Sequence, residues 1–182
     1  LFRKKMSEKP YLSVVVPLYN EEENVAELHR QILKACQTLT PTLSQRERRI
    51  DKISFEIIFI DDGSTDQTVQ KAKILSPLTL IEFRKNFGQT AAFDAGIKKA
   101  CGEIIVTMDG DLQNDPNDIG LLLGELEKGF DIVSGWRAER KDSLMKKIFS
   151  RVANLLRKLL LEDNIHDSGC SLKAYRRECF ED

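Results

Sequence analysis

The chain has 182 residues, enough for one domain with a substantial core, and its 41% apolar content is typical of globular proteins. A net charge of −1 gives no general attraction to nucleic acid or membranes, so any such affinity requires a local cluster of charge. Four scattered cysteines without a Cys-x-x-Cys pair argue against zinc and redox sites. We expect a tail at 1–10 and one soluble, cytosolic domain at 11–182 that is cut short at its C-terminus and has no transmembrane helix.

Short apolar runs alternate with amphipathic segments along the chain. Pro17 stops the first run, and Asn20 followed by three glutamates is typical of a helix start. Ser64 or Thr65 is expected to cap the second helix. The predicted strands are 12–17, 55–60, 78–83, 104–108 and 130–136. The predicted helices are 21–39, 64–76, 90–100, 117–128 and 143–161, with a surface insertion at 40–54 and a truncated helix at 176–182.

This alternation with short connections predicts an α/β fold, with a mainly parallel central sheet flanked by helices on both faces. Ligands of such sheets bind outside the carboxyl ends of the strands. Polar or acidic motifs follow every predicted strand at that edge, beginning at Pro17, Asp61, Arg84, Asp109 and Gly135. No Gly-x-Gly-x-x-Gly follows the first strand and no P-loop is found, which argues against a nicotinamide or flavin cofactor.

The fourth strand ends in two carboxylates, Asp109 and Asp111. Alternate residues of a strand share a face, and Gly110 permits the bend that lets the two acids converge as the strand opens into a loop. Two adjacent carboxylates followed by the amide of Gln113 are hard oxygen ligands that suit Mg²⁺ or Mn²⁺. The alternative is an acidic turn that caps the helix starting near Pro116.

A basic amphipathic segment covers residues 143–161, where apolar residues recur at helical spacing and cations fill much of the rest. Residues 137–158 hold eight Lys or Arg and two acids, a local charge of +6. Such a helix can lie in a membrane interface that contains anionic lipid. It can equally pack its apolar face on the sheet and leave its charges in water.

Together the motifs resemble the GT-A fold family 2 glycosyltransferases, and within them the polyprenyl-phosphate branch that includes dolichyl-phosphate mannosyltransferase. The resemblance covers about residue 11 to the end, and a late Asp-Ser-Gly-Cys-Ser-Leu-Lys at 167–173 favours that branch. The insertion at 40–54 and the lack of the membrane helices that many such proteins carry are departures. The five motifs are Val-Pro-Leu-Tyr-Asn-Glu at 16–21, Asp-Asp-Gly-Ser-Thr-Asp at 61–66, Asn-Phe-Gly-Gln at 86–89, Met-Asp-Gly-Asp-Leu-Gln at 108–113 and Gly-Trp-Arg at 135–137.

The resemblance implies roles for individual residues. The metal would be held by Asp111 and Gln113 with Asp109 alongside, and Gly110 would lie with the donor. Asp62 is either a donor contact or a helix cap, and Arg84 and Asn86 either contact the donor or only shape their loop. Pro17, Tyr19 and Glu21 would border the base and ribose, Asp61 would lie near the base, Arg137 would bind the acceptor phosphate, and Asp167 would lie near the sugar or acceptor.

The acceptor decides what other groups the chemistry needs. A sugar hydroxyl requires a general base, whereas a phosphate monoester with a second pKa near 6 is already a nucleophile at neutral pH and needs cations instead. Arg137, Arg140 and Lys141 directly follow the fifth strand and are placed to bind it. We therefore expect an inverting transfer from a UDP- or GDP-sugar to a polyprenyl phosphate at the cytoplasmic face of a membrane, with no nucleic acid partner. The alternatives are a saccharide hydroxyl acceptor and an inactive binding domain.

Overall fold

A computed structural model describes residues 9–39, 53–135 and 170–181 of the chain. Six strands form one sheet in these ranges, in the order β3-β2-β1-β4-β6-β5. The strands are β1 (Leu12–Leu18), β2 (Phe55–Asp61), β3 (Thr79–Glu82), β4 (Ile104–Thr107), β5 (Ile132–Ser134) and β6 (Lys173–Arg176). The helices are α1 (Val25–Thr38), α2 (Thr68–Ala72), α3 (Gln89–Lys99) and α4 (Ile119–Leu126), with 3₁₀ turns at Pro116–Asp118 and Arg177–Phe180.

The sheet is mainly parallel, as the alternating pattern predicted. β1 pairs in parallel with β2 and β4, and β2 pairs in parallel with β3. β6 lies between β4 and β5 and is antiparallel to both. The carboxyl ends of β1, β2 and β4 therefore meet at one edge, where parallel sheets bind their ligands.

Helices cover both faces of the sheet, which also confirms the predicted fold class. On one face α1 and α4 bury their apolar sides in one cluster with residues of β1, β2 and β4, and Leu28 and Ile32 are fully buried there. α4 buries all four of the residues that its spacing predicted to point inward: Ile119, Leu122, Leu123 and Leu126. On the opposite face α3 packs on β1 and β2, where Ala92 and Gly96 allow a close approach. The sheet is thus a rigid layer that fixes the positions of the loops at its edge.

The prediction of a truncated helix at 176–182 was wrong. Residues up to Arg176 belong to β6, and only a single 3₁₀ turn follows, at Arg177–Phe180. Ala174 of β6 is fully buried opposite Val106 and Val133, so strand pairing overrides the local preference for helix.

Several element boundaries also differ from the prediction, most clearly at α2 and at the end of the insertion. α2 covers Thr68–Ala72 instead of 64–76, and neither Ser64 nor Thr65 caps it, because both bond the loop that follows β1. The end of the predicted surface insertion is buried: Ile53 is 3% exposed, and Ser54 accepts the backbone N–H of Tyr11. The rest of the insertion, at 40–52, and the basic segment at 143–161 lie outside the described residues.

Candidate active site

An open cleft of about 460 Å³ lies at the carboxyl ends of β1, β2 and β4. That volume is typical of small-molecule binding sites. The wall is formed by loops that the parallel strands bring to the same edge of the sheet. The lining residues are Pro17, Leu18, Tyr19, Glu21, Asp62, Asn86, Gly88, Gln89, Asp109, Gly110 and Asp111.

The loop after β1 is held by reciprocal hydrogen bonds to the loop after β2. Asn20, in the left-handed region at φ 56°, donates its backbone N–H to Ser64 Oγ at 2.9 Å, and its Oδ1 accepts the N–H of Thr65 at 2.9 Å. Glu21 donates its backbone N–H to Thr68 Oγ1 at 2.8 Å. These bonds fix the backbone directly after Tyr19, whose side chain remains 47% exposed and lines the cleft.

A second clamp joins the same loops through Asp66. Burial acts to raise the pKa of this carboxyl, but hydrogen bonds from Thr68 and from the Glu22 N–H lower the pKa below its usual value. Glu22 makes a second hydrogen bond between these loops, because its carboxylate accepts the N–H of Gln67 at 3.1 Å. The two loops are therefore held by ionised acceptors on backbone donors, which are strong hydrogen bonds.

The paired acids after β2 have different surroundings. Asp61 is 1% exposed and does not line the cleft; its Oδ2 accepts the Ser64 N–H at 3.0 Å, while Oδ1 has no partner among the described residues. Asp62 is 3% exposed and lines the cleft. It accepts the N–H groups of Phe87 at 2.7 Å and Gly88 at 2.9 Å, so it fixes the loop before α3 and does not cap α2.

The Asp-Gly-Asp turn forms the floor of the cleft. Gly110 lies so close to β1 that a Cβ there would be 2.7 Å from Leu18 Cδ2 and 2.9 Å from the Pro17 carbonyl oxygen. The Asp109 Oδ1 accepts a hydrogen bond from Gln89 Nε2 at 2.6 Å. The Asp111 Oδ1 accepts the backbone N–H two residues later at 3.1 Å, which closes the turn. Both carboxylates thus face a site that the backbone itself constrains.

The donor set fits a hard divalent cation. In the described ranges no three His, Cys, Asp or Glu residues cluster as a complete metal cage. Asp109 and Asp111 alone supply carboxylates from this turn to the cleft, and the hydrogen bonds that they accept from described residues use Oδ1 of each. Two carboxylates with positions left for water and substrate phosphates are the usual protein contribution to a Mg²⁺ site.

The structure brings together seven of the residues predicted for the site and separates three others. Arg84 and Gln113 are exposed and lie outside the lining, and Asp61 is buried and also lies outside it. Gln89 belongs to the Asn-Phe-Gly-Gln motif, but no role was predicted for it. Its contact with Asp109 could not be predicted from the spacing of residues in the sequence. Those that meet in the cleft are Pro17, Tyr19, Glu21, Asn86, Asp109, Gly110 and Asp111. The predicted site residues that lie outside the described residues are Arg137, Arg140, Lys141 and Asp167.

The segment at 170–172 is attached to the Asp-Gly-Asp region. Ser171 accepts hydrogen bonds from Thr107 Oγ1 at 2.8 Å, through its carbonyl oxygen, and from Asn114 Nδ2 at 2.9 Å, through its hydroxyl. Gly135 donates its N–H to the Leu172 carbonyl oxygen at 2.8 Å. Residues 135 and 170–172 are therefore neighbours at the same edge of the sheet.

Solved structures of glycosyltransferases share this fold. Glucosyl-3-phosphoglycerate synthase from Mycobacterium tuberculosis, in complex with Mn²⁺, UDP and glucosyl-3-phosphoglycerate, superposes with a TM-score of 0.68 at 21% identity, over 93% of this chain and 57% of that chain. Mannosyltransferase PcManGT from Pyrobaculum calidifontis, in complex with GDP-Man and Mn²⁺, gives a TM-score of 0.62 at 24% identity, over 96% and 47%. These likenesses confirm the GT-A fold.

Curated relatives are more similar in sequence. Dodecaprenyl-phosphate galacturonate synthase of Rhizobium johnstonii is 44% identical over 172 residues, which are 91% of this chain and 47% of the relative. Undecaprenyl-phosphate 4-deoxy-4-formamido-L-arabinose transferase of Pseudomonas fluorescens is 36% identical over 178 residues, which are 93% and 49%. The chain thus spans about half the length of these relatives. The family model described as glycosyl transferase family 2 matches residues 13–182, so the chain belongs to that family.

Proposed function

We propose that this protein transfers a sugar from a nucleotide-diphosphate sugar to a polyprenyl phosphate, with inversion at the anomeric carbon and dependence on a divalent cation. One observation carries the proposal: Asp109 and Asp111 line the same cleft as Tyr19, Glu21 and Asn86, at the carboxyl edge of a parallel sheet. This arrangement offers acids for a cation beside an aromatic ring and hydrogen-bonding groups for a nucleotide. The relatives that act on dodecaprenyl and undecaprenyl phosphate support the choice of acceptor.

The donor's nucleoside would lie against the loops after β1 and β2. Tyr19 offers an exposed ring, and Glu21 is held in place because its carboxylate accepts a hydrogen bond from Asn24 Nδ2 at 2.6 Å. Asp61 is buried behind the lining, so it becomes a second contact for the base where the loop after β2 moves to expose its Oδ1, which has no donor among the described residues. A buried acceptor without a donor is costly, and an N–H of a bound base would satisfy it.

The donor's diphosphate would lie over the Asp-Gly-Asp turn. Asp109 and Asp111 would hold Mg²⁺ or Mn²⁺ there, with Gln113 as the further ligand that the family resemblance implies. When bound, such a cation neutralises the charge that develops on the leaving diphosphate. Gly110 has no side chain to obstruct the phosphates, and the contacts of its backbone with β1 keep both carboxylates at fixed positions.

The acceptor phosphate would be bound by the cations that follow β5. An oxygen of the lipid phosphate attacks the anomeric carbon while the bond from that carbon to the diphosphate oxygen breaks, and a single displacement inverts the configuration. Arg137 is the first choice for orienting this phosphate, with Arg140 and Lys141 near it in sequence and Asp167 beside the sugar or acceptor. Support comes from Gly135 and Ser171, which anchor both ends of the intervening segment at the edge of the sheet that holds the cleft.

A polyprenyl acceptor also requires access to a membrane. None of the helices in the described ranges is both long enough and apolar enough to span a bilayer. We infer that the protein works at the cytoplasmic face of the membrane and that the +6 charge of residues 137–158 contributes, because each basic residue near anionic lipid adds about 1 kcal/mol of attraction.

The direct test is a transfer assay with two classes of acceptor. Radiolabelled UDP- and GDP-sugars, UDP-galacturonate among them, are incubated with undecaprenyl phosphate or with free saccharides, in Mn²⁺, Mg²⁺ or EDTA. We expect label in the organic phase with the lipid phosphate alone, and none in EDTA. NMR of the product from an α-linked donor should show a β-linked sugar.

Two results would contradict the proposal in different ways. Transfer to saccharides but not to lipid phosphate would assign the enzyme to polysaccharide assembly and refute the acceptor. Calorimetry that detects neither UDP nor GDP in the presence of Mn²⁺ would indicate an inactive binding domain. Asp111→Ala serves as the matched control in each assay, because Asp111 is exposed and its loss should leave the fold unchanged.

A further inference from the structure

Gln89 is the first residue of α3, and its side chain reaches across the cleft to the Asp-Gly-Asp turn. Its Nε2 donates to Asp109 Oδ1 at 2.6 Å, and both residues line the cleft. An ionised carboxylate can only accept hydrogen bonds, so the amide must present its nitrogen and not its oxygen to Asp109. In the described part of the chain this is the only hydrogen bond made to the Asp109 carboxylate.

The position of Gln89 is itself fixed by a buried anchor. Asp62, 3% exposed, accepts the backbone N–H groups of Phe87 and Gly88 at 2.7 and 2.9 Å. Gly88 adopts φ 93°, a conformation that favours glycine, and α3 begins at the next residue. The buried acid thus holds the start of α3, which carries the amide that contacts Asp109.

We infer that Gln89 is a positioning residue for the cation site. By occupying Oδ1 of Asp109 it fixes the rotation of that carboxylate and leaves Oδ2 as the oxygen available to the cation. Groups that orient a metal ligand in this way typically contribute tenfold or more to metal affinity. The inference rests on the proposed function, because it assigns a role at the same metal site.

A different role for Gln89 is direct contact with the substrate, since its side chain is exposed in the cleft. The two roles make different predictions for a double mutant. A positioning residue acts through Asp109, so its loss has no further effect on metal affinity once Asp109 is removed. A residue that contacts substrate directly would weaken binding to the same extent with or without Asp109.

The experiment measures Mn²⁺ binding, from the EPR signal of free Mn²⁺, in the presence of saturating UDP and in a parallel series with GDP. The variants are Gln89→Met, which keeps the side-chain length and removes the donor, Asp109→Ala, and the double mutant. Lys98→Met is the matched control, because Lys98 lies on the same helix and pairs only with the exposed Asp94 in the described structure.

We expect Gln89→Met to weaken Mn²⁺ binding by about tenfold or more. Nucleotide affinity in EDTA should be unchanged, Lys98→Met should match the wild type, and Gln89→Met should add no loss to Asp109→Ala. Wild-type Mn²⁺ affinity in Gln89→Met, or a full additional loss in the double mutant, would overturn the inference and leave the proposed function in place. A wild-type protein that binds no Mn²⁺ with either nucleotide would refute both.

Discussion

Gly110→Ala should damage the active site with only a moderate loss of stability. The added Cβ would be 2.7 Å from Leu18 Cδ2 and 2.9 Å from the Pro17 carbonyl oxygen, where ordinary contacts begin at 3.4 Å. Leu18 is 1% exposed and Pro17 lies within β1, so neither neighbour can yield easily. The turn that carries Asp109 and Asp111 must therefore move by about 0.7 Å relative to β1.

The size of the effect follows from that displacement. Overpacking of a buried site costs about 1–3 kcal/mol in the free energy of unfolding. Misplacing catalytic groups by about 1 Å can lower the rate about a hundredfold. We therefore expect sugar transfer to fall by roughly 30- to 100-fold and the half-saturating Mn²⁺ concentration to rise, while the protein remains folded at 25 °C.

The assays are sugar transfer at varied Mn²⁺ and urea unfolding followed by circular dichroism. Gly124→Ala is the matched control, because a Cβ at this exposed position of α4 meets nothing within 4 Å. That change should raise the free energy of unfolding by about 0.5–1 kcal/mol and leave transfer unaltered. If Gly110→Ala retained transfer within about threefold of the wild type, the claim that contact with β1 fixes the carboxylates would be refuted.

Three further predictions follow from the site and the core. Asp111→Ala should abolish metal-dependent transfer and leave the circular dichroism spectrum unchanged, with only a small fall in the thermal midpoint from the loss of one exposed hydrogen bond; wild-type turnover by this variant would remove the metal assignment. Asp62→Ala should lower the free energy of unfolding by about 3 kcal/mol in urea titrations, because the N–H groups of Phe87 and Gly88 lose a buried, charged acceptor. Burial raises the pKa of Cys36 to about 12, so at pH 8 iodoacetamide should label the exposed Cys101 and Cys179 long before Cys36, as peptide mass spectrometry can measure.

Most of the fold could be predicted because hydrophobic periodicity and element length were unambiguous in the first 135 residues. β6 could not be. Its four residues, Lys173–Arg176, include only one aliphatic side chain, and the Arg-Arg-Glu at 176–178 favours helix. The strand forms because β4 and β5 leave a gap that its backbone fills, and Arg176 donates to the carbonyl oxygens of Leu126 and Phe130. Those partners are about 50 residues away, so no local pattern reports them.

The sequence predicted which loops form the candidate site, but not which of their side chains line the cleft. The topology of a parallel sheet brings Asp109 and Glu21 to one edge whatever the details of the loops. Neighbouring residues at a strand end point to opposite faces, so strand register decides which of two adjacent acids reaches the cleft. Asp62 lines the cleft, whereas Asp61 is buried and does not. Arg84 follows β3, the outermost strand of the sheet, which places it farthest along the sheet order from β4.

The attachment of residues 170–172 to the Asp-Gly-Asp region links the two halves of the proposed reaction. Asn114 follows the acidic turn and is 5% exposed, and its amide donates to Ser171, two residues before β6. Thr107, the last residue of β4, donates to the same residue. A shift of the turn on donor binding would therefore be transmitted to the strand from which the chain runs back towards Asp167. Under the proposed function, these hydrogen bonds give the acidic turn and the segment before β6 one common support, which favours the alignment that in-line displacement needs.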